Sequence, residues 1–202
     1  MEKVLTVVDK NDVKNDFEYW KTKSPEERID SIEILRLQYI KLQENVQQGL
    51  QRVYKITKQK SGWISVIGGY AVWFHGHPRY TGDIDIWLNP TKGNIGKIPQ
   101  VLNEFGFKSG DYNTADFKEK DNIIRIGFPP FRIDLMVAID GVLFETCYPN
   151  RVDIKLEDFM VHFIGLADLI KNKKACNRKK DQLDLENLSW SSDKLHINHV
   201  LY

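Results

Sequence analysis

Cysteine is scarce in this chain: Cys147 and Cys176 are the only two among 202 residues. Their spacing is not that of metal ligands, and two thiols make no disulfide framework. Reduced thiols in a cytoplasm are the plain expectation. Neither sign of charge prevails, since 29 lysines and arginines face 28 aspartates and glutamates. That balance excludes a uniformly basic nucleic-acid coat but leaves room for a local basic patch. Apolar runs are short as well. None reaches the roughly 18–20 residues needed to span a bilayer, and the start, Met1-Glu2-Lys3-Val4-Leu5, is too charged for a secretory leader. No repeat and no low-complexity tract is visible. With 42% hydrophobic and 28% charged residues, what remains is an ordinary globular chain. One domain plus a helical extension is expected, in the cytoplasm and with no membrane partner.

The first sixty residues differ from the rest. Ser24-Pro25-Glu26-Glu27 starts a helix: Ser24 caps free amides, Pro25 suits the first helical position, and Glu27 completes a capping box. Downstream, Ile32, Leu35, Tyr39, Leu42, Val46, Leu50 and Val53 recur at steps of three or four, with an interruption near Gly49. That period predicts one apolar helical stripe, covered by the main domain or by another chain. A homodimer or a helical partner is the alternative to burial within the chain. From Ser61 short strands alternate with helices. Strands are predicted at 63–67, 83–88, 122–128 and 132–137, with Pro129-Pro130 as a break, and a hairpin at 152–155 and 159–164. Helices are predicted at 70–75, at 95–105 closed by Gly106, at 166–175 and at 178–188. The expected organisation is a helical extension over 1–60, a mixed α/β sheet with helical flanks over 61–190, and a tail over 191–202.

Chemistry starts at Asp83 and Asp85. Residues two apart on a strand face the same way, so their carboxylates lie side by side and repel. A divalent cation relieves that repulsion, and oxygen ligands suit magnesium. Asp-x-Asp alone is common on solvated strands. Asp134, in Arg132-Ile133-Asp134-Leu135-Met136, is a third acid on a predicted strand. If that strand pairs beside the first, three acids converge with no designated basic partner. Two metal ions roughly 3.5–4 Å apart would then suit a phosphoryl or nucleotidyl displacement. Gly68-Gly69 follows a buried strand and opens a short helix, a turn that can take phosphate, although it matches neither dinucleotide nor Walker patterns. Arg79 and Thr81 lie in the loop before the paired acids, with structural and phosphate-binding roles both open. Lys171, Lys174 and Arg178 fall on one face if a helix runs through them, and such a face can grip triphosphate or RNA. A solvated helix surface is the alternative. Asp181 and Asp184 read as partners of these cations or as caps, His75 and His77 as loop or surface residues, and Cys147 as core.

Taken together, Ile67-Gly68-Gly69, a thirteen-residue spacer, Asp83-Ile84-Asp85-Ile86 and a later strand aspartate resemble the signature of the polymerase-β-like nucleotidyltransferase superfamily. The resemblance covers roughly residues 63–190. Within that superfamily, the block from Gly68 to Trp87 is similar to that of small prokaryotic nucleotidyltransferases of the abortive-infection toxin type. The segment from Asp168 through Arg178, Asp181 and Asp184 is similar to their C-terminal helical block.

The resemblance implies Asp83, Asp85 and Asp134 as catalytic metal ligands for two magnesium ions, with manganese as the alternative. It implies Gly68 and Gly69 as the phosphate turn, and Lys171, then Arg178, as phosphate contacts. Many members carry serine where Gly69 stands, so here only a backbone amide is offered. The implied activity is transfer of a nucleoside monophosphate from a nucleoside triphosphate to an acceptor hydroxyl, in a toxin–antitoxin setting. The acceptor stays open among an RNA end such as that of tRNA, a protein hydroxyl and aminoglycoside-like small molecules. Trp20 to Tyr39 more weakly resembles short helical polypeptides associated with such enzymes. A second reading follows: a nucleotide-binding interaction protein that turns over little and is regulated by its N-terminal helix. A degenerate fold kept for dimerisation is the third, and three intact acids argue against it.

Overall fold

The computed structural model describes residues 19–20, 22–42, 63–77, 79–108, 112–127, 132–156 and 159–197. Helix α1 (Pro25–Leu42) begins as its local chemistry dictates. The Ser24 amide donates to Glu27 Oε2 at 2.8 Å, and the Glu27 amide donates to Ser24 Oγ at 3.1 Å. Both halves of the capping box are made. Strand β1 (Ile64–Ile67) runs into α2 (Gly68–Phe74) and then β2 (Asp83–Leu88). Two short helices follow, α3 (Lys92–Ile95) and α4 (Ile98–Glu104), so the helix expected over 95–105 is broken at Gly96 and Lys97. Its end is as expected. Gly106 has φ 102°, and the Gly106 and Phe107 amides donate to the Asn103 and Leu102 carbonyls, a Schellman closure.

Strands β3 (Ile123–Ile126) and β4 (Arg132–Met136) come next; the Pro129-Pro130 break lies outside the described residues. A short α5 (Phe144–Cys147) leads into the expected hairpin, β5 (Val152–Leu156) and β6 (Phe159–Phe163). The chain closes with α6 (Leu166–Cys176) and α7 (Lys179–Ile197). Helix α7 therefore continues to Ile197, through part of the stretch expected to be a tail.

Among the described residues six strands form one mixed sheet in the order β3-β4-β2-β1-β6-β5. The decisive pairing is β2 with β4, parallel and in register Asp83↔Arg132, Asp85↔Asp134 and Trp87↔Met136. Side chains alternate across a strand, so these six residues share a face. On that face Trp87 and Met136 join Val72, Phe163, Leu169 and Leu188 in one core. On the other, Leu88, Ile133 and Leu135 pack with Ile98, Leu102 and Phe117 in a second. Burial of a side chain such as Phe117 or Leu169 is worth roughly 2–3 kcal/mol. Along β2 burial deepens from half-buried Asp83 and Asp85 to buried Trp87 and Leu88. The acids thus occupy the rim of a well-packed face.

Helix α1 lies on this domain. Arg28 donates from Nη1 to the Phe74 carbonyl at 2.9 Å and from Nε to the Trp20 carbonyl at 2.9 Å. Trp20 packs on Trp73 with ring centroids 5.1 Å apart, and Tyr39 stacks on Tyr80 at 4.3 Å. Ile32 is buried. The buried face is turned toward Ile29 and Ile40, however, so Leu35 and Leu42, expected on the covered stripe, are exposed. Val46, Gly49, Leu50 and Val53 lie outside the described residues. No helix among the described residues is long and apolar enough to cross a membrane.

Candidate functional site

Parallel pairing of β2 with β4 brings Asp134 beside Asp85, on the same side of the sheet as Asp83. One oxygen from each of the three carboxylates lies within 4.8 Å of the others. Among the described residues this is the one group of three acids, histidines or cysteines with such closeness. Hard oxygen donors in this number suit a divalent cation such as magnesium. Asp134 is buried, whereas Asp83 and Asp85 are half-buried. Burial, then the charges of Asp83 and Asp134, push the Asp85 carboxyl above its ordinary range. That is the signature of like charges held together out of water.

The expectation that these acids have no basic partner is corrected. Arg132, two residues before Asp134 and opposite Asp83 in register, lies on their face. Its Nε donates to Asp134 Oδ1 at 2.7 Å, and its Nη2 donates to Asp134 Oδ2 at 3.2 Å and to Asp83 Oδ2. These bonds, led by the one to Asp134, raise the already high pKa of the guanidinium. A cation thus already stands between two of the acids and offsets part of their charge. From the edge strand, Arg125 Nε comes within 3.7 Å of Asp134 Oδ2.

The glycine turn meets the acids closely. Gly68 has φ 63°, and a Cβ there would collide with Asp85 Oδ2. A Cβ at Gly69 would stand 2.7 Å from Thr81 Oγ1. Glycine at both positions admits these two side chains, a structural reason beside any role in ligand approach. Thr81 is buried, and its hydroxyl donates to Asp83 Oδ1 at 2.8 Å. Thr81 therefore orients an acid. Arg79 is tied by two bonds to Asp184, at 2.7 and 3.0 Å.

The basic segment is rearranged relative to expectation. Helix α6 stops at Cys176, and Asn177 caps it in the left-handed region at φ 49°. Arg178 therefore does not continue the face of Lys171 and Lys174. Lys171 donates to Asp168 Oδ1 at 2.8 Å and stands about 200° around the helix from Lys173. Lys174 is exposed. Lys173, passed over in sequence, is the buried cation: its Nζ lies 2.7 Å from Asp181 and 2.8 Å from Asp184. Lys180 and Lys173 supply the positive field that reaches Asp85, and Arg178 senses Asp85 as well. Asp181 holds Arg178, as expected, while Asp184 holds Arg79 and Lys173 and none of the cations expected for it. Burial would push the Asp181 carboxyl up, but hydrogen bonds from Arg178 and Lys173 outweigh it and hold it low. Asp181 also accepts from the Arg178 amide at 3.3 Å, capping α7.

His75 and His77 lie in the loop after α2, as expected, but they are half-buried and buried there, respectively, and not on the open surface. His75 Nε2 lies 2.8 Å from the Ile164 carbonyl, and His77 is buried. Cys147 is core, as expected. No protein-family model matches the chain, and no curated protein matches it.

Proposed function

We propose that this protein is a magnesium-dependent nucleotidyltransferase of the polymerase-β-like kind, using a nucleoside triphosphate and an acceptor hydroxyl. The observation that carries the reading is the meeting of Asp83, Asp85 and Asp134 on one sheet face beside the Gly68-Gly69 turn. Asp83, Asp85 and Asp134 would hold the metal. When bound, magnesium would neutralise the phosphates and favour departure of pyrophosphate, with manganese as a substitute. Thr81 fixes Asp83 in place. Lys180 and Arg178 add positive charge on the helical side, where a triphosphate would lie. The acceptor hydroxyl gives its proton to Asp134, its oxygen bonds to the α-phosphorus, and the bond from that phosphorus to pyrophosphate breaks. Positioning and charge neutralisation carry most of such a reaction.

The acceptor would be an RNA end such as that of tRNA, a protein hydroxyl or a small molecule, and the toxin–antitoxin setting rests on the resemblance alone. The test is to incubate the protein with each of the four α-labelled nucleoside triphosphates, magnesium, and total RNA or protein extract. Label should pass to one acceptor class, and Asp83→Asn should reduce transfer by about three orders of magnitude. Undiminished transfer by that variant would rule out the metal mechanism.

A second reading has its own observation. Tyr39 of α1 stacks on Tyr80, between Arg79 and Thr81, which supports a nucleotide-binding interaction protein restrained by its N-terminal helix. Tyr39→Ala tests that restraint: faster label transfer supports it, and lowered stability with unchanged transfer makes α1 a brace.

A further inference from the structure

We propose that Arg132 competes with the divalent cation, so that its guanidinium must leave Asp83 and Asp134 before the ion can be held. The inference rests on the metal reading of the three acids and adds a determinant of how tightly they bind. Arg132 is the first residue of β4 and shares the acid face through its two-residue spacing from Asp134 and its register opposite Asp83. Its planar fork engages both oxygens of Asp134 and one of Asp83. Charge-assisted bonds of this kind are the strong class, and they weaken little where water is scarce. The Arg132 side chain is 23% exposed, against 6% for Asp134.

A cation coordinated by the same carboxylates needs the oxygen lone pairs that the guanidinium now occupies. Both cannot have them. The arginine also has a clear physical use: without it, three carboxylates within 4.8 Å would face one another whenever the ion is away. Binding is then an exchange of one cation for another, and only the fraction of molecules with Arg132 displaced is competent. Apparent affinity falls by that fraction. Because Arg132 begins its strand and is partly exposed, its side chain has solvent on one side into which to swing.

Arg125 provides the control. It carries the same charge and reaches Asp134 at 3.7 Å, yet its side chain is 62% exposed and it does not bridge two acids. If only the local field mattered, removing either arginine would strengthen metal binding alike.

The experiment uses the full chain and manganese as the probe, with bound ion followed by loss of the free-ion electron paramagnetic resonance signal. Thermal midpoints in chelator are recorded in parallel. Arg132→Gln should bind manganese on the order of tenfold more tightly than the natural sequence, with a lowered midpoint in chelator. Arg125→Gln should change affinity by no more than about twofold. If Arg132→Gln does not fold, Arg132→Lys replaces it: lysine keeps the charge but loses the fork, and tightening of a few-fold is expected. Equal or weaker binding by the Arg132 variant overturns the competition while leaving the metal site standing. Equal tightening by Arg125→Gln overturns it too, because a general field would then explain the effect. Absence of manganese binding in every protein overturns both the competition and the metal reading.

Discussion

Arg79 donates to both carboxylate oxygens of Asp184, from Nε to Oδ1 at 2.7 Å and from Nη2 to Oδ2 at 3.0 Å. The pair joins the loop ahead of β2 to the last helix. Asp184 is also 2.8 Å from Lys173, which lies 2.7 Å from Asp181, which in turn holds Arg178. Five charges therefore run as one chain from the loop that positions the paired acids to the turn between α6 and α7. Lys173, Asp181 and Asp184 are all buried.

This arrangement predicts a specific non-additivity. Lys173 keeps one acid when either Asp181 or Asp184 is changed, but loses both in the double variant. A buried ammonium without a carboxylate is strongly destabilising. Asp181→Asn and Asp184→Asn should each cost about 1–3 kcal/mol, and the double variant should cost at least about 1 kcal/mol more than their sum. Urea unfolding of the four proteins measures this. Simple additivity would mean that Lys173 does not depend on the two acids together.

Gly68 predicts a second coupling. Its φ of 63° strains any residue with a Cβ, by roughly 1–2 kcal/mol, and a Cβ would also strike Asp85. Gly68→Ala should therefore cost more than backbone strain alone, about 3 kcal/mol in all. In an Asp85→Ala background the clash with the carboxyl atoms is gone and only the strain and a tight 3.0 Å approach to the Cβ of residue 85 remain, so the same change should cost distinctly less. Equal costs in the two backgrounds, read from denaturation midpoints, would place Asp85 elsewhere.

What could be read in advance divides along the range of the interactions. The Ser24–Glu27 capping box is local, three residues apart, and is made as the sequence indicates. The shared direction of Asp83 and Asp85 follows from the strand period. That Asp134 stands beside Asp85 depended on strand order, because β2 and β4 pair in parallel across a long crossover. The spacing that places Asp134 on its face places Arg132 there too, a cue that lies in the basic residue two positions before the acid. In the basic run Lys171, Lys173 and Lys174 are chemically alike. Only the phase of α6 against α7 makes Lys173 the buried one, and that phase comes from tertiary packing. The break that removes Arg178 from this helix had a local cue in Asn177, a residue type that tolerates the left-handed region.

His75 predicts how the fold responds to acid. Its Nε2 lies 2.8 Å from the Ile164 carbonyl, tying the end of α2 to the segment after β6. The neutral ring donates that bond. Burial lowers its pKa from 6.5 to about 4, against the opposing pull of the Ile164 carbonyl, with further lowering from Arg28 and His77. The unfolded chain therefore takes up a proton at this position from about pH 6.5 downward, while the folded chain resists until about pH 4. Stability from this residue is complete above the upper value, falls as pH drops through the window, and levels off below the lower one. At about 1.4 kcal/mol per unit the full loss is on the order of 3 kcal/mol. His77, also lowered by burial, adds to the same slope. His75→Gln retains an amide donor for the Ile164 carbonyl but cannot titrate, so its stability should fall distinctly less between pH 6.5 and 4.5. Urea midpoints across that range, for the natural protein and the variant, provide the comparison. Parallel curves would show that His75 does not carry the acid sensitivity.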